Sequence, residues 1–353
     1  MRVDDFDFDL PEHLIALRPT RPRDSAKLLA MTDAGLADHQ VSDLPSLLRA
    51  DDVLVFNDTR TIPAALTATR PARQQGAPDL KASINLHQRL DGASWKAFAR
   101  PAKRLAVGDT LHFAEGLCAQ ILARGEGGEV TLTFDRTGAA LDLAIAAAGM
   151  MPLPPYIARK RPVDDRDDKD YQTIYAKADG SVATPTAGLH FTEALLADLV
   201  AKGVTLAQLT LHVGAGTFLP VKAERIEDHH MHSESYVISA QTAQTINQAK
   251  AQGRRIVAVG TTTLRTLESA TNAVGEIVAG AGQTDIFITP GHHFKLVDGL
   301  MTNFHLPRST LLMLVAAFIG YDAMRSLYAH AIAQSYRFYS YGDASLLWRV
   351  DHA

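Results

Sequence analysis

Cysteine is almost absent: Cys118 stands alone in 353 residues, so no internal disulfide can form and the chain suits a reducing compartment. Long apolar runs are absent too. The longest, Leu311 to Gly320, is about half of what a membrane-spanning helix needs. The acidic start MRVDDFDFDLPEHL lacks the apolar core of a secretory signal. There is no internal repeat and no low-complexity tract, which excludes solenoid and fibrous classes. A net charge of only −4 argues against a general nucleic-acid binder. These absences leave a globular, cytoplasmic protein as the expectation, with no membrane partner.

What is present fits that class. Hydrophobic residues make up 46% and charged residues 21%, enough for a sizeable core, and the length suggests about two domains. The small net charge hides an asymmetry. Between Thr59 and Leu105 nine Lys/Arg face only Asp79 and Asp91, a net of +7 that leaves −11 elsewhere.

DDVLVFN (51–57) reads as a turn feeding a buried strand. Beyond Pro63 come short β-type segments, LKASINLHQRL, SWKAFAR, DTLHFA and EVTLTF, broken at short intervals by Gly, Asp and Asn. That spacing suggests a small antiparallel barrel closing near GMMPLPPYI. RKRPVDDRDDKDYQ (159–172) reads as an exposed, mixed-charge loop. From Ala183 strands and helices alternate. FTEALLADLVAKG, SAQTAQTINQAKAQG and STLLMLVAAFIG have Thr192, Ser239 and Ser309 as N-caps, with Gly203 and Gly253 closing the first two. VTLAQLTLHV, RRIVAVG and DIFITPG read as strands. The expected fold is a mixed, largely parallel α/β domain (1–60 and 152–353) with an inserted small antiparallel β-barrel domain (61–151).

Ligands of open α/β sheets bind at the carboxyl ends of strands, so the residues after each strand are the candidates. They are Asn57, Asp58, Thr59 and Arg60; Gly214, Gly216 and Thr217; Gly260, Thr261, Thr262 and Thr263, with Arg265 one turn on; and Asn303 in the loop 301–307. HVGAGT lacks the third glycine of a dinucleotide fingerprint and GTTTLR lacks the ending of a P-loop. A helix start still offers free N–H groups to an anion such as a carboxylate. His190, His212, His232 and His305 suit proton transfer. DHHMHSE has no cysteine pair and no HExxH spacing, so no metal site is expected. In SYRFYSYGDASLL, Tyr339 and Tyr341 either stack an unpaired base or form one buried face of an edge strand.

The motifs FNDTRTIPAAL, RPAKRL, MPLPPYI, YQTIYA, ATPTAGLHFT, TLHVGAGTF, MHSESY, AVGTTTLRTLES, TDIFITPG, TNFHLPRSTLLMLVAAF and YRFYSYGDASLL together resemble, in order, the S-adenosylmethionine:tRNA ribosyltransferase-isomerase family of queuosine biosynthesis. The likeness runs from about Phe8 to Leu347. It implies transfer and isomerisation of the ribosyl moiety of S-adenosylmethionine onto 7-aminomethyl-7-deazaguanine at the wobble position of tRNA, releasing adenine and methionine and leaving epoxyqueuosine. S-adenosylmethionine would then be a substrate, with no cofactor, and tRNA the partner. A monomer is favoured. The resemblance makes the four histidines candidate bases, with Glu234 and Glu268 to position them or to stabilise the sulfonium. It adds Thr184, Thr186 and Gly188 of ATPTAGLHFT to the substrate site. Arg100, Lys103 and Arg104, with Arg159, Lys160 and Arg161, become the candidate tRNA surface. Two other readings predict different marks. Another S-adenosylmethionine-dependent transferase would release S-adenosylhomocysteine, and a non-catalytic tRNA-binding relative would lack polar strand-end turns.

Overall fold

The structure, a computed structural model, describes residues 1–32, 34–214, 221 and 223–350. Its strands, in chain order, begin with β1 (Lys27–Thr32), β2 (Gly35–Gln40) and β3 (Val53–Asn57). Next come β4 (Thr59–Thr61), β5 (Ala65–Arg70), β6 (Leu80–Arg89), β7 (Ser94–Arg100), β8 (Thr110–His112), β9 (Cys118–Arg124), β10 (Glu129–Phe134) and β11 (Gly149–Met150). The chain continues through β12 (Ala178–Ser181), β13 (Thr205–Leu211), β14 (Glu234–Ile238), β15 (Ile256–Val259), β16 (Gly280–Thr284), β17 (Gly299–Asn303) and β18 (Ala344–Trp348). The longer helices are α1 (Gly138–Ala148), α2 (Glu193–Lys202), α3 (Ala240–Ala251), α4 (Thr261–Ala270), α5 (Thr310–Ile319) and α6 (Tyr321–Ala333).

One sheet has the order β16-β14-β13-β3-β15-β17-β18-β1-β2. Its centre, β13-β3-β15-β17, is parallel, while β14 and β16 add antiparallel on one flank and β18 runs antiparallel to β17 on the other. Strands β3, β15 and β17 are buried on both faces, which is why they read as unbroken apolar runs rather than alternating ones. Val53, Val55 and Ala258 pack under α3, α4 and α5 through Ile246, Leu264, Leu267 and Val315. On the opposite face Leu54, Phe56 and Val257 meet Leu195 and Leu199 of α2. The caps are those the sequence suggests: Thr192, Ser239 and Ser309 accept the N–H of Leu195, Thr242 and Leu312.

The second sheet closes on itself. β5-β6-β7-β10-β9-β8 returns to β5 through Thr69 and His112, an antiparallel six-stranded barrel filled by Leu66, Ile84, Trp95, Leu111, Ile121 and Leu132. Leu141 and Ile145 of α1 join that core, and so does Val182, which fastens the barrel to the chain returning towards the large sheet.

Three expectations are corrected. DIFITPG (285–291) is not a strand; the ladder is formed one step earlier by β16. The Ile288 side chain is buried in the core and Arg265 Nε donates to the Ile286 carbonyl, so the apolar pattern there reflects packing rather than pairing. The charged stretch 159–172 is not uniformly solvated. Asp167 and Asp170 are buried because Arg18 and Arg161 meet the first and Arg21 the second. Nor is the 335–343 segment an edge strand: Tyr336, Phe338 and Tyr341 are core residues, and the strand that follows lies inside the sheet. Among the described residues no single helix is long and apolar enough to cross a membrane; α5 and α6 bend by 115° between them.

Candidate active site

The parallel strands share one direction and a close register, Leu209 beside Asn57, Ala258 beside Val55 and Val259 beside Met301. Their carboxyl ends therefore share one rim, and the loops after them interlock. Asn57 spans two neighbours: its side chain exchanges hydrogen bonds with the Leu211 backbone (3.0 Å each way) and reaches the Thr262 hydroxyl at 3.4 Å. Thr59 meets His212 Nδ1 at 2.9 Å and Ser181 at 3.0 Å. Thr61 and Thr184 share a 2.8 Å hydroxyl contact. Asn303 accepts from Thr186 at 3.0 Å and meets His190 Nε2 at 3.3 Å. Asp58 accepts from the Thr210 hydroxyl at 2.7 Å.

Two glycines are required by close approach. Gly260 turns the chain at φ +89°, and a Cβ there would meet Ala187 at 3.6 Å. A Cβ on Gly188 would stand 2.0 Å from the Tyr175 hydroxyl. That phenol makes no hydrogen bond among the described residues, and burial together with the nearby Asp58 carboxylate holds its pKa high. Tyr175 is a site residue the sequence reading did not single out, although it lies within YQTIYA.

At the start of α4 the N–H groups of Thr261, Thr262 and Thr263 have no acceptor among the described residues. The Thr263 hydroxyl turns back to Val259 O, so only the first two threonines offer hydroxyls. One turn on, Arg265 is 4% exposed and pairs with Glu234, 7% exposed, at 2.6 Å. The other Glu234 oxygen accepts the Gly214 N–H at 3.0 Å. Arg265 Nη2 is buried without a partner. Side chains lean towards the start of their own helix. A free N-terminus, two hydroxyls and a spare guanidinium N–H thus belong to one helix turn, suited to an anion.

The histidines divide. Burial pulls His190 down to about 3, helped by the charges of Arg337 and Arg23, and burial alone brings His305 to about 3. Both stay neutral and are weak bases. His305 lies on the other sheet face, held by Thr302 at 3.0 Å. His212 is lowered by burial, with Asp58 and Asp179 opposing. His232 is exposed and makes no hydrogen bond among the described residues. The buried pair has a consequence for stability. Unfolded histidine protonates near ~6.5, so between there and about 3 the unfolded chain binds more protons than the folded one. Stability is full above ~6.5 and falls as pH drops towards 3, by about 1.4 kcal/mol per pH unit for each group. His305→Gln is expected to flatten that acid limb by about 1.4 kcal/mol per unit, read from urea unfolding between pH 4.5 and 6.

Other expected residues are placed elsewhere. Glu268 lies two turns down α4, where burial works to raise its pKa but His292 and the N–H groups of Lys295, Val297 and Leu296 outweigh it. It anchors the loop entering β17, away from the rim. Tyr341 is 2% exposed and packs on Tyr171; Tyr339 is half-buried against Tyr156. Arg60 is exposed and paired with Asp179. Arg161 and Lys160 pair with Asp167 and Glu12, while Arg159 is exposed. Arg100, Lys103 and Arg104 are exposed on the barrel. Gly216 and Thr217 lie outside the described residues. The barrel also contributes a residue with no sequence signal of its own. His87 meets Glu129 at 3.1 Å, and its carbonyl lies 3.6 Å from where a Gly214 Cβ would stand. Burial lowers the His87 pKa against Glu129, and His232 is near enough to add to the effect.

A family profile described as "Queuosine biosynthesis protein" matches residues 3–347. A curated S-adenosylmethionine:tRNA ribosyltransferase-isomerase from Maricaulis maris is 59% identical over 351 residues, covering 99% of each chain. One of the same name from Parvibaculum lavamentivorans is 58% identical, again over 99% of each. Among solved structures, the S-adenosylmethionine tRNA ribosyltransferase of Thermotoga maritima superposes with a TM-score of 0.54 at 36% identity, over 97% of this chain and 99% of that one.

Proposed function

The chain belongs to the queuosine biosynthesis protein family, and from that premise we propose that it transfers the ribosyl part of S-adenosylmethionine to the aminomethyl nitrogen of 7-aminomethyl-7-deazaguanine in tRNA and isomerises it. Epoxyqueuosine-tRNA, adenine and methionine are the products. S-adenosylmethionine is consumed as a substrate, and the reading calls for no other cofactor. The observation that carries the ligand assignment is the unpartnered start of α4, where Thr261, Thr262 and the spare Arg265 N–H suit the methionine carboxylate. Asp58, with the Tyr175 phenol beside it, suits the ribose hydroxyls, and the Glu234 carboxylate suits the adjoining cation.

In this reading the sulfonium acidifies the C5′ protons and a base removes one. Adenine departs, the amine attacks C1′, and methionine leaves as the ring closes. The base needs reach and basicity. His190 and His305 lack basicity, which favours His232, two residues from Glu234, with His212 second. Incubation with S-adenosylmethionine and tRNA bearing the aminomethyl base tests the reaction. Adenine and methionine in equal amounts, with a nucleoside heavier by one ribosyl unit, support it. S-adenosylhomocysteine, or no turnover, refutes it.

A further inference from the structure

We propose that the outward face of barrel strands β6 and β7 is the track that holds the single-stranded loop of the RNA substrate as its modified base enters the rim; this rests on tRNA being the second substrate. The nine cations of the basic segment separate by their partners. Arg60 pairs with Asp179, Arg70 and Arg73 with Asp109, Arg89 with Asp142, and Lys96 with Glu129. The other four, Lys81, Arg100, Lys103 and Arg104, are exposed and have no carboxylate at ion-pair distance among the described residues.

Register gathers these four. Ser83 pairs with Arg100, Lys81 is two residues further along the same outward row, and Lys103 and Arg104 lie in the turn directly after β7. At the opposite end of that face the His87 and Phe98 rings stack at 4.6 Å and 20°, and the His87 carbonyl abuts Gly214 of the rim. Ser83 and Asn85 lie between, exposed and uncharged. Six residues of strand separate His87 from Lys81, about 20 Å. The strip thus offers cations for phosphates at one end and an aromatic pair for a base at the rim end, the combination that binds unpaired RNA. The rest of the chain is net negative and repels a polyanion, so the field directs RNA to this face.

The test is the affinity of the full-length protein for an RNA hairpin carrying 7-aminomethyl-7-deazaguanine in its loop, followed by fluorescence anisotropy across salt concentrations. Lys81→Ala with Arg100→Ala is expected to flatten the log–log salt slope by about 1.4, ~0.7 for each lost contact to a single strand. Phe98→Ala is expected to weaken binding about ten- to a hundredfold with little change of slope, and Phe98→Trp to restore it. Lys202→Ala, at the far end of α2, leaves the slope as it was. Thermal melting and S-adenosylmethionine affinity serve as controls for the fold. Wild-type affinity and slope in the double variant and in Phe98→Ala overturn the surface assignment alone. A wild-type protein with no salt-dependent affinity for the hairpin overturns the tRNA reading and the surface with it.

Discussion

Glu234→Ala is expected to destabilise the protein by about 3–5 kcal/mol, because it leaves the Arg265 guanidinium buried without its counter-charge. The same change removes the acceptor of the Gly214 N–H, so the loop after β13 loses its tether at the rim. Replacing both members separates stability from function. Glu234→Leu with Arg265→Met puts apolar groups of similar size where the pair stood, and such exchanges are often neutral or better. The double variant is therefore expected to regain most of the lost stability, as a coupling energy in a double-mutant cycle. It should not regain S-adenosylmethionine affinity, because the spare Arg265 N–H and the Glu234 carboxylate are both gone. Urea unfolding and calorimetric titration read the two quantities. A double variant that binds S-adenosylmethionine as the wild type does would reduce the pair to a structural pin.

His232→Ala is expected to lower kcat by about 10²–10⁴, the usual contribution of a positioned general base, while leaving substrate affinity near wild type and the melting temperature unchanged, since the side chain is exposed. His190→Asn and His305→Gln should act differently. Their wild-type imidazoles are held neutral by burial, so loss of either is read mainly as stability. The ordering of kcat among these variants, with His212→Gln between, identifies the base. Should His232→Ala turn over at the wild-type rate, the assignment passes to His212, whose ring is fixed by Thr59.

Local chemistry explains what the sequence revealed. The β15–turn–α4 unit was legible because a β-branched run meets a glycine that must adopt φ +89° and then a helical pattern. Capping by Thr192, Ser239 and Ser309 was legible for the same reason: each satisfies an N–H within its own helix turn. What escaped depends on partners far apart in sequence. Arg18 and Asp167 are 149 positions apart, so nothing near 167 signals that its carboxylate is buried. The apolar pattern of 285–289 marks packing under a helix, and periodicity alone cannot distinguish that from a ladder. At the site, the candidate rim residues of four loops were nameable one by one, since strand ends are where sheets bind ligands. Their sorting was not. That Glu268 faces the opposite edge, that His305 takes the other face, and that Tyr175 and the barrel's His87 approach the rim are consequences of three-dimensional register.

The account turns on one helix start receiving the amino-acid end of a sulfonium nucleoside. A crystal structure of the protein with S-adenosylmethionine decides it: the carboxylate is expected within hydrogen-bond distance of the Thr261–Thr263 N–H groups and Arg265, with the ribose towards Asp58. A ligand bound with its carboxylate away from α4, or on another edge of the sheet, would contradict it.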